Sequence, residues 1–173
     1  MLTIRTEQPS DYEKVHQVII EAFKNAEHSD GTEQELVKKL RQSPSFIPEL
    51  SLVAIKDNEI VGHILFTKAY VNNVEVLALA PLSVLPEYQN QGIGLTLIKH
   101  GHEAALNLGF KFSIVLGHSQ YYPKAGYVPA SHYSICAPFP VADENFMAIC
   151  LDNEPCLLKG TVKYDDAFGL GEV

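Results

Sequence analysis

The sequence has little of what marks several function classes. It holds three cysteines in 173 residues, Cys136, Cys150 and Cys156, an odd number with no C-x-x-C pair. That argues against a disulfide framework and makes reduced, buried thiols the expectation. The seven histidines and three cysteines show no zinc-ligand spacing, so no metal is expected. No apolar stretch approaches the roughly 18 residues that cross a bilayer. The opening Met1-Leu2-Thr3-Ile4-Arg5 has no signal-type apolar run. A cytoplasmic protein with no membrane partner is expected. Basic clusters are also scarce. Thirteen Lys and Arg stand against 21 Asp and Glu, a formal net charge of −8. The largest basic group, Lys38, Lys39 and Arg41, reads as the solvated face of one helix. A nucleic-acid surface needs clustered cations, so no nucleic-acid partner is expected. The acidity leans towards a cationic partner, though it also serves plain solubility.

Linkers, repeats and low-complexity tracts are missing as well. One domain over residues 1–173 is expected. A hydrophobic fraction of 46% is enough for a packed core. Leu2 to Arg5 reads as a short strand. Ser10-Asp11-Tyr12-Glu13 is a capping box, followed by Val15, Val18, Ile19, Ala22 and Phe23 at helical spacing. Thr32-Glu33-Gln34-Glu35 is a second box, leading into Leu36, Val37 and Leu40 in a helix that should end near Gln42. Strands follow over 50–55 and 60–68, with Asp57-Asn58 and Asn72-Asn73 as turns. Residues 74–84 form a long apolar strand with Pro81 inside it, where a bulge or an unpaired edge is expected. A helix is predicted over 93–108, with an apolar face of Ile93, Leu97, Ile98, Ala104, Ala105 and Leu108, and Gly109 as its C-cap. A buried strand over 111–116, a short helix over 119–125, and strands near 133–137 and 146–151 complete the order. This is mixed α/β with a central sheet.

The chemistry centres on Gln89-Asn90-Gln91-Gly92-Ile93-Gly94, which joins an apolar strand to a helix. Backbone N–H groups at such a junction lack helical partners, and the helix dipole makes the end electropositive. Glycines let a phosphate come close, so an anion site, most naturally for a diphosphate, is implied. An ordinary strand-to-helix connection has the same look. A Walker A loop is excluded, because Leu95-Thr96 follow Gly94 where Lys-Ser/Thr is required. The dinucleotide pattern fails too, since Leu97 stands in place of the third glycine.

What remains resembles the acyl-CoA signature of the GNAT N-acetyltransferase superfamily, Q/R-x-x-G-x-G/A, filled here by Gln89, Gly92 and Gly94. Upstream, Pro81-Leu82-Ser83-Val84-Leu85-Pro86-Glu87-Tyr88 is similar to the family's bulged strand. Downstream, Tyr121-Tyr122-Pro123-Lys124-Ala125-Gly126-Tyr127 is similar to its Y-x-x-x-G-F/Y element. The paired tyrosines and Ala137-Pro138-Phe139-Pro140-Val141 resemble the YhbS-like branch.

The resemblance implies a single GNAT-like α/β domain. Its central sheet would be mixed and mostly antiparallel, with splayed strands and flanking helices, and 130–173 would form a strand-rich C-terminal part. It implies acetyl-CoA as acyl donor and direct attack by an amine, from a small molecule or a peptide, in a ternary complex. Backbone groups of Gln91, Gly92, Ile93, Gly94 and Leu95 would hold the diphosphate. Those of Leu82 and Val84 would pair with the pantetheine amides. Tyr122 matches the tyrosine that protonates the departing thiolate, while Tyr121 reads as packing. The general base stays open among Glu75, Glu33 and His118, with Glu27 and His28 nearby in sequence. Gly117-His118-Ser119 departs from the family's usual Asn or Asp-Pro. A noncatalytic acyl-CoA-binding or regulatory module on the same fold is the alternative. A plain phosphate or nucleotide binder is a weaker one. A homodimer face is a hypothesis resting on Phe139, Phe146 and Phe168.

Overall fold

The computed structural model describes residues 1–26, 29–154 and 157–169. Nine strands run as β1 (Leu2–Thr6), β2 (Phe46–Lys56), β3 (Glu59–Val71), β4 (Val74–Val84), β5 (Phe112–Leu116), β6 (Val128–Pro129), β7 (Ile135–Cys136), β8 (Phe146–Cys150) and β9 (Gly160–Lys163) among the described residues. Three α-helices accompany them there: α1 (Tyr12–Phe23), α2 (Glu33–Arg41) and α3 (Ile93–Asn107). The sheet order is β1-β2-β3-β4-β5-β8-β6, and β9 joins β3 and β7 off that path. Neighbours along the path are antiparallel except β4 and β5, which are parallel. The expected mixed, mostly antiparallel sheet is present.

Two apolar layers sandwich it. Ile93, Leu97, Ile98 and Ala105 of α3 pack on Leu52, Ala54, Ile64, Phe66 and Leu77. Val15, Val18 and Ile19 of α1, with Val37 and Leu40 of α2, cover Val53 and Leu65 on the opposite face. The three α1 residues are wholly buried, and each adds about 1.5–3 kcal/mol of transfer free energy. Gly101 brings α3 close to β3, because a methyl group there would meet Cζ of Phe66 at 2.8 Å. Leu108, expected on the buried face, is instead 43% exposed. The helix ends before it, with Leu108 as C-cap and Gly109 at φ +94°.

Both predicted capping boxes are replaced. Pro9–Asp11 forms a 3₁₀ turn ahead of α1, since proline suits a first helical position. Asp11, not Glu13, then supplies the carboxylate. It accepts the Gln8 N–H at 2.8 Å and pairs with Arg5 at 2.7 Å. At α2 the Thr32 hydroxyl donates to the Asp30 side chain and makes no cap bond.

Arg41 does not lie on the solvated face assigned to it. Its guanidinium meets the Glu7 carboxylate at 2.6 Å, with side chains 11% and 1% exposed. Ser51 donates its hydroxyl proton to Glu7 Oε1 at 2.8 Å. Nε2 of His63 is therefore the donor in its 2.9 Å bond to Ser51. Burial first, and the Arg41 charge second, lower the His63 pKa to about 3. This network ties α2 to β2, β3 and Glu7, the residue that follows β1.

The C-terminal region is less regular than expected. Tyr133 belongs to a 3₁₀ turn, leaving β7 as Ile135–Cys136 alone. β6 and β9 were not anticipated. Phe139 and Phe146 have centroids 6.2 Å apart, and Tyr164 stacks against Phe139 and contacts Phe168. Phe146 is buried. Of the aromatics suggested for a dimer face, Phe139 and Phe146 touch each other, and Phe168 reaches Phe139 through Tyr164. Cys150 is buried and Cys136 exposed, contrary to the expected burial of all thiols; Cys156 lies outside the described residues.

Candidate active site

β4 and β5 pair only at Leu77↔Ser113 and Ala78↔Ile114, then part. The kink that separates them is local. β4 has a register shift against β3 between Ile64 and Phe66, opposite Ala80-Pro81, whose peptide bond is cis. The bulge expected at Pro81 is there. Beyond it, Leu85 N–H donates to Val61 of β3 at 2.9 Å. Main-chain direction alternates along a strand. Ser83 therefore also faces β3, and Leu82 and Val84 turn their N–H and C=O groups into the gap. The Val84 carbonyl is occupied there by Gln89 Nε2 at 3.0 Å.

The gap opens into a cleft of about 760 Å³, lined by strand ends, the glycine loop, the first turn of α3 and parts of α1 and α2. Asn90 and Gly92 take positive φ, +63° and +82°, which shapes the loop beneath α3. The first helical bond from the loop is Thr96 N–H to Gly92 C=O at 3.0 Å. The N–H groups of Ile93, Gly94 and Leu95 precede it and have no carbonyl one turn back to bond. Leu82, Val84, Gln89, Gly92, Ile93, Gly94 and Leu95 all line the cleft. Gln91 does not; its side chain turns outward, accepting from Lys56 Nζ at 3.1 Å.

The 3₁₀ turn Tyr122–Ala125 closes the far wall, stopped by Gly126 at φ +98°. Tyr122 packs its ring on Gly117 and edge-on against Tyr121, 5.2 Å between centroids. Among the described residues its hydroxyl has no hydrogen-bond partner. Burial, then the Tyr121 phenol, raises its pKa above the ordinary phenol value, so it stays protonated. Behind it, the Tyr127 hydroxyl meets Ser113 Oγ at 2.7 Å and His102 Nε2 at 2.9 Å. That buried chain had no signal in the sequence, because its members lie 14 and 25 residues apart.

Two of the three base candidates reach the cleft. Glu33 lines it from the first turn of α2 and accepts from Ser29 Oγ at 2.7 Å. His118 lines it beyond the end of β5. Glu75 does not belong there. It opens β4 opposite Tyr70, whose hydroxyl lies 3.5 Å from its carboxylate, whereas the cleft begins at Leu79. Glu27 and His28 lie outside the described residues.

A parallel pair that parts beside an anion-ready helix end is the architecture of an acyl-CoA transferase fold. Residues 12–127 match the Acetyltransferase (GNAT) family, and the chain belongs to that family. It is 35% identical to the uncharacterized N-acetyltransferase YjhQ of Escherichia coli over 172 residues, covering 95% of this chain and 92% of that one. The uncharacterized N-acetyltransferase YhbS of the same organism is 25% identical over 96% of this chain and 98% of its own. Among solved structures, a GNAT acetyltransferase from Brucella melitensis in complex with acetyl-CoA superposes with a TM-score of 0.81 at 30% identity, covering 97% and 98% of the two chains. Escherichia coli YhbS in complex with CoA superposes at 0.84 and 24% identity, over 97% and 92%. The chain falls in this YhbS-like branch.

Proposed function

We propose that the protein transfers an acetyl group from acetyl-CoA to an amine by direct attack in a ternary complex. The observation that carries this reading is the Tyr122 hydroxyl, without a hydrogen-bond partner among the described residues, on the wall of a cleft also lined by Leu82 and Val84. The CoA complexes of the Brucella and YhbS relatives support the choice of donor.

The N–H groups of Gly92 through Leu95 hold the diphosphate, aided by the helix dipole; Gln91, outside the cleft, is left out of that role. The pantetheine arm runs along β4 as an added strand would, meeting the Leu82 main chain and the Val84 N–H. The Val84 carbonyl already has Gln89, so the arm gains less there than the sequence suggested. An amine nitrogen approaching from the α1–α2 side attacks the thioester carbonyl. The C–N bond forms, and the oxygen gains charge that main-chain donors of β4 stabilise. Glu33, directly or through water, takes the proton that the amine must lose. The C–S bond then breaks, and Tyr122 gives its proton to the departing thiolate. The products are an amide and free CoA.

The test is release of free thiol from acetyl-CoA across a broad amine panel, for wild type and Tyr122→Phe, with calorimetric binding of acetyl-CoA alongside. The expected result is equal binding and a rate lowered by about 10²–10⁴ in the variant. Binding without transfer to any amine would favour a noncatalytic acyl-CoA-binding module.

A further inference from the structure

Tyr121, read from the sequence as packing, ends in a place where a packing residue has no use for its hydroxyl. A methyl group built on Gly94 would run into the Tyr121 phenolic oxygen, with Cζ at 3.3 Å and Cδ2 of Leu82 at 3.6 Å. The phenol therefore ends against the second residue of α3, beside the inner edge of β4. Among the described residues its hydroxyl has no hydrogen-bond partner. Burial raises its pKa, so it remains a donor. The ring is held from two sides, by Tyr122 edge-on at 5.2 Å and by the Lys124 ammonium 6.0 Å from its centroid. Lys124 is the one Lys or Arg among the described residues lining the cleft.

We infer that the Tyr121 hydroxyl is a ligand of the acyl donor's diphosphate, closing the anion site from the side opposite the glycine loop. The inference rests on the acetyl-CoA reading above. Main-chain N–H groups of Ile93, Gly94 and Leu95 form one wall of the site, on α3. Tyr121 and Lys124 form the other, on the turn after β5. The Tyr121 hydroxyl lines the cleft with no protein partner among the described residues, so it is free to donate to an acceptor that takes the place of water there. A diphosphate oxygen at this helix end supplies that acceptor, and Lys124 offsets its charge. Gly94 then has a second purpose besides phosphate approach, because any side chain there would displace the hydroxyl.

The experiment measures dissociation constants of wild type and Tyr121→Phe for two probes. One is CoA. The other is S-acetylpantetheine, which ends short of the diphosphate. The expected result is CoA binding weakened about tenfold or more in the variant, as the loss of a charge-assisted hydrogen bond implies, with S-acetylpantetheine unchanged. Equal CoA affinity in both proteins overturns the assignment. So does equal weakening of both probes, which would place the hydroxyl on the pantetheine arm or reflect damage to the fold. If wild type binds neither probe, the acetyl-CoA reading itself fails, and that outcome is separate from any effect of the variant.

Discussion

The rings of Tyr122 and Tyr127 meet edge-on, 80° apart in plane with centroids separated by 5.8 Å. Tyr122 lines the cleft, and Tyr127, buried behind it, is anchored by Ser113 and His102. Tyr127→Phe keeps the ring contact and removes the anchor, leaving the buried Ser113 hydroxyl without its partner. The expected loss is about 1–3 kcal/mol of stability, read by urea denaturation. Acetyl transfer should fall far less than in Tyr122→Phe.

Glu33 and Glu75 separate a carboxylate in the cleft from one outside it. Glu33→Gln should lower kcat with the amine by about 10²-fold or more, the range of a lost general base. Its acetyl-CoA dissociation constant should stay at the wild-type value, because Glu33 comes from α2 rather than from the glycine loop. Glu75→Gln should change neither. Initial-rate kinetics and calorimetry on both variants decide the matter.

Gly101 is where α3 sits hard against the Phe66 ring. Gly101→Ala would ordinarily favour a helix by about 1 kcal/mol. Here the added methyl must push the ring or the helix away, at a cost of about 1–3 kcal/mol. A net loss in a denaturant titration is expected, with the opposite sign if the interface yields freely.

Stability should also fall on mild acidification. Burial holds His63 and His102 neutral in the fold, with pKa values lowered to about 3 and about 4. In the unfolded chain a histidine titrates near 6.5. Below that value the unfolded state binds more protons, so the folded state loses up to about 1.4 kcal/mol per pH unit for each histidine. The contribution is complete above about pH 6.5 and drains away towards about pH 4 for His102 and about pH 3 for His63. Denaturant midpoints at pH 7.5, 6 and 5 would show the slope, and His102→Gln should make it shallower.

Much of this was readable where the signal is local. The α1 stripe of Val15, Val18 and Ile19, the turns at Asp57-Asn58 and Asn72, and the Pro81 bulge follow from periodicity and backbone preference within a few residues. The glycine loop and Tyr122 were legible through family likeness, and the parted strands confirm the fold behind it. Long-range relationships were not. Glu7 and Arg41 lie 34 residues apart and Ser51 and His63 12 apart, so no spacing rule joins them. Two-residue strands such as β6 and β7 are too short for any alternation to register. Family likeness told the two adjacent tyrosines apart but read Tyr121 as packing, and only the turn between β5 and β6 shows its hydroxyl ending at Gly94 while the Tyr122 ring packs on Gly117.

The parting of β4 from β5 also has a consequence for solubility. It leaves bare strand edge in the middle of a sheet, the kind of surface on which a second polypeptide could pair and aggregate. Three local features guard it. Pro81 has no N–H to offer a ladder, the bulge twists the edge out of line, and the Gln89 amide sits on the Val84 carbonyl. A full protein strand finds no continuous row of partners there, while a slender chain carrying only a pair of amides still does. The defences that keep neighbouring molecules off this edge are compatible with the one narrow guest it is shaped to admit.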